Sequence, residues 1–150
     1  MTDTKKILCL DIGSKTCGIA KTDALGITIQ PVRTIRYDGQ HKINTLFTEL
    51  AKTISEENPQ LILIGLPLNM DDSEGPQVQK TKAIVQGLKK HLKANHISPD
   101  QFQWDYCDER NTSEEASEFL REQGLNPAKR KENIDMFAAV FILKRYLNDC

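Results

Sequence analysis

The sequence has little of what would place it in several common protein classes. Of its 150 residues only 6% are aromatic, so few side chains are available to stack on unpaired bases. The formal net charge is -1, which excludes a basic field over the whole molecule and leaves only local patches for a polyanionic partner. No apolar stretch approaches the roughly 18 residues of a membrane span, and the N-terminus lacks the apolar core of a signal peptide. We therefore expect a cytoplasmic protein.

Cysteine is scarce and is not arranged for metal binding or redox chemistry. The four cysteines have no C-x-x-C spacing, and Cys9 and Cys17 lie in apolar runs where a reduced thiol behaves as a small hydrophobic group. We expect no zinc site. With 39% hydrophobic and 27% charged residues, the chain has the composition of a globular domain that buries a core. The sequence predicts one domain over residues 1–150.

The first part of the chain predicts three strands that pair as a meander. An apolar run from Ile7 to Leu10 is followed, after a short connection, by a second run from Gly18 to Thr22. So short a connection requires antiparallel pairing, because a parallel partner needs a crossover of a dozen or more residues. A third strand is predicted within Gly26 to Tyr37, with a break or bulge at Pro31.

The rest of the chain alternates helical and strand patterns. Helices are predicted over Lys42–Glu57, Val78–Leu92 and Thr112–Gln123, and from Asn133 or Ile134 to Leu147. A Thr112/Glu115 capping box opens the third of these helices. Between the helices, a strand buried on both faces is predicted over Leu61–Ile64 and an edge strand over Phe102–Cys107. The predicted fold is α/β, with a mixed five-stranded sheet. Three strands form an antiparallel meander, two are parallel, and helices flank the sheet.

Carboxylates from distant parts of the chain should meet at one edge of this sheet. The parallel strands carry Asp11, Asn69 and Asp108-Glu109 at their carboxyl ends, and Asp135 is predicted in the first turn of the last helix. Hard oxygen ligands favour Mg²⁺ or Mn²⁺, and a pair of such ions can stabilise both oxygens of a phosphodiester displacement. Each acid also has a simpler interpretation, as a turn residue or a helix-terminal charge.

Basic residues near these acids could hold phosphate groups. They are Lys15, Arg110 and the run Lys129–Lys131. A second concentration of positive charge extends from Gln77 to Pro99, with five lysines, two histidines and no acid. The simpler interpretation of this run is a solvated helix face.

Four motifs occur in the order found in a known family. They are Asp11-Ile-Gly-Ser-Lys15 with Gly18-Ile-Ala, Gly65-Leu-Pro-Leu-Asn69, Asp108-Glu109-Arg110 with Thr112, and Ile134-Asp135 with Ala138-Ala139 and Ile142-Leu143. Together they cover about Lys6 to Leu147 and resemble the YqgF/RuvX family, whose members are described as Holliday junction resolvases or as nucleases that mature pre-16S rRNA. The resemblance implies an RNase H-like fold and a divalent-metal nuclease.

The resemblance also implies roles for individual residues. Asp11, Glu109 and Asp135 match the family's metal-binding catalytic acids, with Asp108 beside Glu109. We expect contacts with nucleic acid from Lys15, Asn69, Arg110, Thr112 and Lys131. The family's usual Lys-Arg pair is Lys15-Thr16 here, which removes one phosphate contact, and Asn111 replaces an apolar residue. The implied partners are precursor rRNA, with the ribosomal subunit, or branched DNA. A monomer and a homodimer both stay open.

Two functions of other classes compete with a nuclease. An Asp-Ile-Gly hairpin also opens actin-like and sugar kinase ATPase folds, but those enzymes close two lobes over ATP and this chain has one hairpin. A non-catalytic RNA-binding module would use the basic run without needing the acids. Mn²⁺ binding lost on Asp11→Asn, with ATP ignored, would favour the nuclease.

Overall fold

The computed structural model describes residues 5–37, 42–71 and 73–149. Its elements are β1 (Ile7–Ile12), β2 (Thr16–Thr22), β3 (Ile29–Arg36), α1 (Ile43–Glu57), β4 (Leu61–Leu66), α2 (Pro76–Ala94), a 3-10 turn (Pro99–Gln101), β5 (Gln103–Asp108), α3 (Thr112–Glu122) and α4 (Pro127–Asp149). Within these ranges, no helix combines the length and the apolar character needed to cross a membrane.

The five strands form one mixed sheet in the order β3-β2-β1-β4-β5. β1 and β2 pair antiparallel, as do β2 and β3, whereas β1 with β4 and β4 with β5 are parallel. The register of β2 against β3 shifts between Ile19 and Ala20, where Ala20 pairs with Pro31. The pairing skips Val32, because Ile19 pairs with Arg33, so the predicted bulge beside Pro31 is confirmed. Proline has no N–H to give to the ladder, which favours a bulge at this place. The predicted meander and parallel pair are also confirmed.

Each face of the sheet buries its own core. Leu8 and Leu10 of β1 belong to the cluster that also contains residues of α1 and α2, and Ile7 and Cys9, which alternate with them, belong to the cluster that contains residues of α4. The thiols of Cys9 and Cys17 are fully buried and free, as expected for small core residues, and burial raises the pKa of both. Cys150 lies outside the described residues.

The last helix begins earlier than its sequence pattern predicts. It starts at Pro127, and the Oδ1 of Asn126 accepts a hydrogen bond from the backbone N–H of Lys129 at 2.9 Å. Lys129–Lys131 therefore lie inside the helix, and Asp135 lies in its third turn. The expectation that Asp135 occupies the first turn is wrong, and a favourable interaction with the helix N-terminus does not explain this acid.

The predicted capping box of α3 is also wrong. The N-cap residue is Asn111, which has a left-handed backbone with φ of 68°, a conformation that asparagine tolerates better than most residues. The Thr112 hydroxyl donates to the carbonyl of Glu109 at 2.7 Å. The Glu115 carboxylate accepts a hydrogen bond from Arg145 of α4 at 2.7 Å. A different local partner for Thr112 and a tertiary partner for Glu115 thus replace the predicted pair.

Thr34 has a buried hydroxyl group whose contribution to stability can be tested. Among the described residues, its hydroxyl is the one buried side-chain oxygen that has no hydrogen-bond partner. We expect Thr34→Val to raise the free energy of unfolding by about 1 kcal/mol, because valine has the same shape and leaves no polar group unsatisfied. Urea denaturation measures this change.

The matched control for Thr34→Val is Thr22→Val. The Thr22 hydroxyl accepts a hydrogen bond from the N–H of Ile7 at 2.8 Å and donates to the Lys5 carbonyl at 3.3 Å. Its removal should lower the free energy of unfolding by about 1 to 3 kcal/mol. Equal losses in the two variants would contradict the assignment of Thr34 as unsatisfied.

Candidate active site

Asp11 and Asp135 meet because a glycine lies between their two elements. Asp11 of β1 pairs with Gly18 of β2, on the face covered by α4. A Cβ atom built on Gly18 would lie 2.0 Å from the carbonyl oxygen of Asp135 and 2.3 Å from its carbonyl carbon. No side chain fits there, so glycine is what allows the backbone of α4 to rest on the strand beside Asp11.

Glu109 reaches the same place over a second glycine. A Cβ atom on Gly65 of β4 would lie 2.8 Å from Oε2 of Glu109. The N–H of Glu109 donates to the carbonyl of Leu66 at 3.1 Å, and its own carbonyl accepts the Thr112 hydroxyl. The backbone of Glu109 is thus held at the end of β5, and its carboxylate lies over β4.

The three predicted acids line one pocket of about 390 Å³. Asp11 comes from β1, Glu109 from the residue after β5, and Asp135 from α4. The other lining residues are Ile12, Gly13, Pro67, Leu68, Gln77, Arg110 and Ser113. The pocket lies at the carboxyl edge of the parallel strands, where sequence reasoning places the acids.

The pocket concentrates negative charge without balancing it. Burial raises the pKa of Asp11, a hydrogen bond with Glu109 opposes this rise, and the charge of Asp135 adds to it. Burial also raises the pKa of Glu109, as do the hydrogen bond and charge of Asp11. Within the described ranges, none of these three acids forms a salt bridge. Asp11 and Glu109 therefore need a shared proton or a bound cation to reduce the repulsion between their charges.

The donor set fits a hard divalent cation that the protein coordinates only in part. Among the described residues, no three histidine, cysteine, aspartate or glutamate side chains are arranged so that they could hold a metal ion by themselves. Of the three acids, Asp11 and Glu109 are in hydrogen-bonding contact. Mg²⁺ is usually held by one or two carboxylates together with water and substrate phosphates. Two partly buried carboxylates in contact, which repel each other once both are charged, suit Mg²⁺ or Mn²⁺ on these terms.

Asp108 has a different task from its neighbour Glu109. Its carboxylate binds the Arg110 guanidinium at 2.6 Å, and this hydrogen bond lowers the pKa of Asp108. Arg110 also donates to the carbonyls of Asn69 and Met70, each at 3.2 Å. Asp108 thereby fixes Arg110 at the rim of the pocket and joins the loop after β4 to the end of β5.

The remaining predicted site residues lie around the pocket and do not line it. Lys15 is exposed in the β1–β2 turn, and Lys131 is exposed one turn before Asp135 on the same face of α4. The Asn69 amide donates to the Ser73 hydroxyl at 3.0 Å. Thr112 is 1% exposed, so its placement does not support the expected contact with nucleic acid.

Four further residues shape the site in ways that the sequence did not predict, although Gly18 and Gly65 belong to the motifs quoted above. Gln77 and Ser113 line the pocket, and Gly18 and Gly65 give room to its acids. Gly18 had a detectable signal, since it is the residue that the predicted hairpin brings opposite Asp11. Gln77 and Ser113 have no such signal, because the majority of helices begin with a polar residue.

Gly65→Ala tests whether Glu109 must lie over β4. The new methyl group would meet Oε2 of Glu109 and Cδ1 of Ile142, both at 2.8 Å. These are the far ends of flexible side chains, so we expect a stability loss of only about 1 kcal/mol. If the pocket cleaves nucleic acid with a bound metal ion, as the family motifs imply, cleavage should fall about tenfold, because the carboxylate is pushed from its position beside Asp11. Normal cleavage in this variant would argue against a requirement for that position.

A family model described as "RuvX: Holliday junction resolvase" matches residues 5–149. The chain belongs to the RuvX family. A protein of Oceanobacillus iheyensis with the provisional name of pre-16S rRNA nuclease is 41% identical over 144 residues, which are 95% of this chain and 98% of that one. A relative in Lachnospira eligens with the same provisional name is 37% identical over 142 residues, 95% of this chain and 96% of that one.

Solved structures confirm the fold of this RuvX family member. RuvC of T. thermophilus in complex with a Holliday junction substrate superposes with a TM-score of 0.58 at 10% identity, covering 96% of each chain. A second Thermus thermophilus RuvC structure gives a TM-score of 0.55 at 10% identity, with the same coverage of both chains. The mixed sheet with flanking helices is thus the RNase H-like fold that the motifs imply.

Proposed function

We propose that this protein is a divalent-metal-dependent nuclease that hydrolyses phosphodiester bonds in nucleic acid. The observation that carries the proposal is the contact between the partly buried Asp11 and Glu109, with Asp135 in the same pocket and no salt bridge to any of them within the described ranges. Acids without a counter-charge are costly in a structural role. They suit a site that receives cations together with its substrate.

The three acids have distinct places in this mechanism. Asp11 and Glu109 would hold the cation most directly, and Asp135 would face it from α4. Bound Mg²⁺ or Mn²⁺, one ion or a pair, would supply Lewis-acid stabilisation and lower the pKa of a nucleophilic water. Thr112 positions the backbone of Glu109. Asp108 acts through Arg110.

Phosphates next to the scissile bond would be held from the rim. Arg110 lines the pocket and is oriented by Asp108. Lys131 lies on the same helix face as Asp135, and Lys15 lies in the turn that follows Asp11. Asn69 shapes the loop beside Arg110 through its carbonyl and its amide. Arg110, Lys131 and Lys15 would fix the position of the nucleic-acid backbone, and none of them identifies a base.

The names of the relatives point to precursor 16S rRNA as the substrate. Relatives that carry this provisional name match along nearly their whole length at 36% to 41% identity. We propose that this protein cleaves such a precursor in the cytoplasm, on RNA free or within an immature ribosomal subunit. The oligomeric state stays a prediction, with monomer and homodimer both open.

The test is cleavage of an end-labelled precursor 16S rRNA fragment in Mn²⁺ or Mg²⁺, beside the same reaction in EDTA. Metal-dependent release of a defined 5′ product supports the proposal. Binding without cleavage in either metal would favour the RNA-binding module instead. Hydrolysis of ATP without cleavage would favour a nucleotide-binding domain.

Resolution of a four-way DNA junction is the second candidate function. The description of the matching family and the likeness to RuvC favour it. Symmetric cleavage of a junction requires two active sites related by a two-fold axis, so it also requires a dimer. A labelled junction in the same assay decides between the two, since paired symmetric nicks in the junction, with the rRNA fragment intact, would reverse the assignment.

A further inference from the structure

A basic groove lies at the end of α2 that is farther from the acids. We define it by Lys89, Lys90, Lys93 and His96, which line a cavity of about 550 Å³ together with residues 97–100. Asp100 is the one acid among its described lining residues. Three lysines against one aspartate leave the groove positive, in a chain whose formal net charge is -1.

Two lysines of α2, of which Lys89 lines the groove, lie against aromatic residues of the edge strand. Nζ of Lys89 lies 4.8 Å from the ring centroid of Trp104, and Nζ of Lys82 lies 5.9 Å from that of Tyr106. The indole N–H of Trp104 donates to the carbonyl of Pro99 at 2.9 Å, which fixes the ring below Lys89. An ordered lysine loses less conformational entropy when it binds an anion.

α2 connects the acid pocket to the basic groove. Gln77 in its first turn lines the pocket, and Lys89 and Lys93 follow it by 12 and 16 residues. At 1.5 Å per residue these spacings correspond to about 18 and 24 Å. From Gln77 to Pro99 the chain has five lysines, two histidines and no acid. Lys82, between the two sites, is partly neutralised by Glu74 at 3.2 Å.

We propose that the basic groove binds the phosphate backbone of the same nucleic-acid strand that is cut at the acid pocket. At the spacing of about 3.4 Å per phosphate in a helically stacked strand, the distance along α2 equals about five to seven phosphates, and fewer in an extended strand. A row of separated lysines suits a long polyanion, whereas a small anion is usually held by donors that converge on one point. This inference rests on the proposed function for the origin of the strand, and its binding prediction stands apart from cleavage.

The test compares a short and a long single-stranded oligonucleotide, of about 4 and about 16 nucleotides, by fluorescence anisotropy in EDTA. For the variant Lys89→Gln/Lys93→Gln we expect about tenfold weaker binding of the long oligonucleotide and unchanged binding of the short one. The slope of log K against log[salt] should fall by about 1.4, because two phosphates are no longer neutralised. The control Lys42→Gln/Lys52→Gln makes the same change in charge at α1 and should bind like the wild type.

Three results would overturn the inference. They are equal binding of the long oligonucleotide by the variant and the wild type, equal weakening for both lengths, and binding of a polyglutamate peptide as tight as that of the oligonucleotide. Loss of long-strand binding in the variant, with no cleavage by the wild type in any metal, would refute the proposed nuclease and leave the groove assignment intact. Cleavage by the wild type, with unchanged binding by the variant, would do the reverse.

Discussion

Asp11→Asn is expected to reduce metal-dependent cleavage by at least about 100-fold while making the folded protein more stable. Asparagine has the shape of aspartate, so the site keeps its geometry but loses a charged ligand, a loss comparable to removing one preorganised electrostatic group. Stability should rise because Asp11 is partly buried beside Glu109 and faces the charge of Asp135. Removing one of the acids relieves that repulsion.

The gain in stability should depend on pH in a defined direction. The folded state raises the pKa of Asp11 and of Glu109 above their unfolded values. Above the unfolded pKa values of about 4, the folded wild type therefore binds more protons than the unfolded chain, and its stability falls as pH rises through the folded pKa values. Asp11→Asn should lose less stability over this range. The difference in Tm between variant and wild type should thus increase from about pH 5 to about pH 8.

Cleavage assays with metal present measure the loss of activity. Thermal denaturation in EDTA measures the change in stability. Glu122→Gln, at the exposed end of α3, is the matched control and should change neither. Cleavage by Asp11→Asn at the wild-type rate would remove this residue from the catalytic set. A lower Tm at every pH would contradict the conclusion that the two acids repel each other in the folded protein.

Gly18→Ala is expected to cause the largest loss of stability. Its methyl group would lie 2.0 Å from the carbonyl oxygen of Asp135 and 2.8 Å from the backbone nitrogen of Met136. Backbone atoms of a packed helix cannot rotate away, so α4 must move off the sheet. We expect a loss of about 3 kcal/mol and a fall in Tm of roughly 6 to 12 °C. Metal-dependent cleavage should be lost as well, because Asp135 moves with the helix.

Gly124→Ala provides the matched control for this substitution. Gly124 has φ of +79°, and a methyl group built on it would have no neighbouring atom within 4 Å, so alanine there meets only the backbone cost of about 1 kcal/mol. Its cleavage should equal that of the wild type. If Gly18→Ala were as stable and as active as Gly124→Ala, the close approach of α4 to β2 would not be what places Asp135.

Much of the architecture is predictable from local patterns. The alternation of Phe102, Trp104 and Tyr106 with polar residues predicts a half-buried edge strand, and the run Leu61–Ile64 predicts a strand covered on both faces. Both predictions are confirmed. Strand periodicity and connection length depend on residues close in sequence, which is why they can be inferred without coordinates.

The errors concern the first turns of two helices, where other hydrogen-bond partners replace the predicted pair or where the helix begins without an apolar pattern. Thr112 and Glu115 have the spacing of a capping box, but Glu109 and Arg145 are their partners in the folded chain. The periodicity predicts a start of α4 after Lys131 because residues 129–133 are polar, although Asn126 and Pro127 carry the helix-start signal. A polar first turn has no apolar periodicity, since it projects away from the core.

The sequence by itself determined which strands form and in which direction they pair, the carboxyl edge at which the acids collect, and the family motifs that identify them. Only the tertiary structure decided which acids touch, that Asp108 binds Arg110 while Glu109 lies beside Asp11, and that Gly18 and Gly65 provide the space for this arrangement. The physical reason is the separation along the chain of the residues that interact. Strand and helix patterns are fixed by neighbours along the chain, whereas a hydrogen-bonding contact between carboxylates depends on how closely separate backbones pack, which no local spacing encodes.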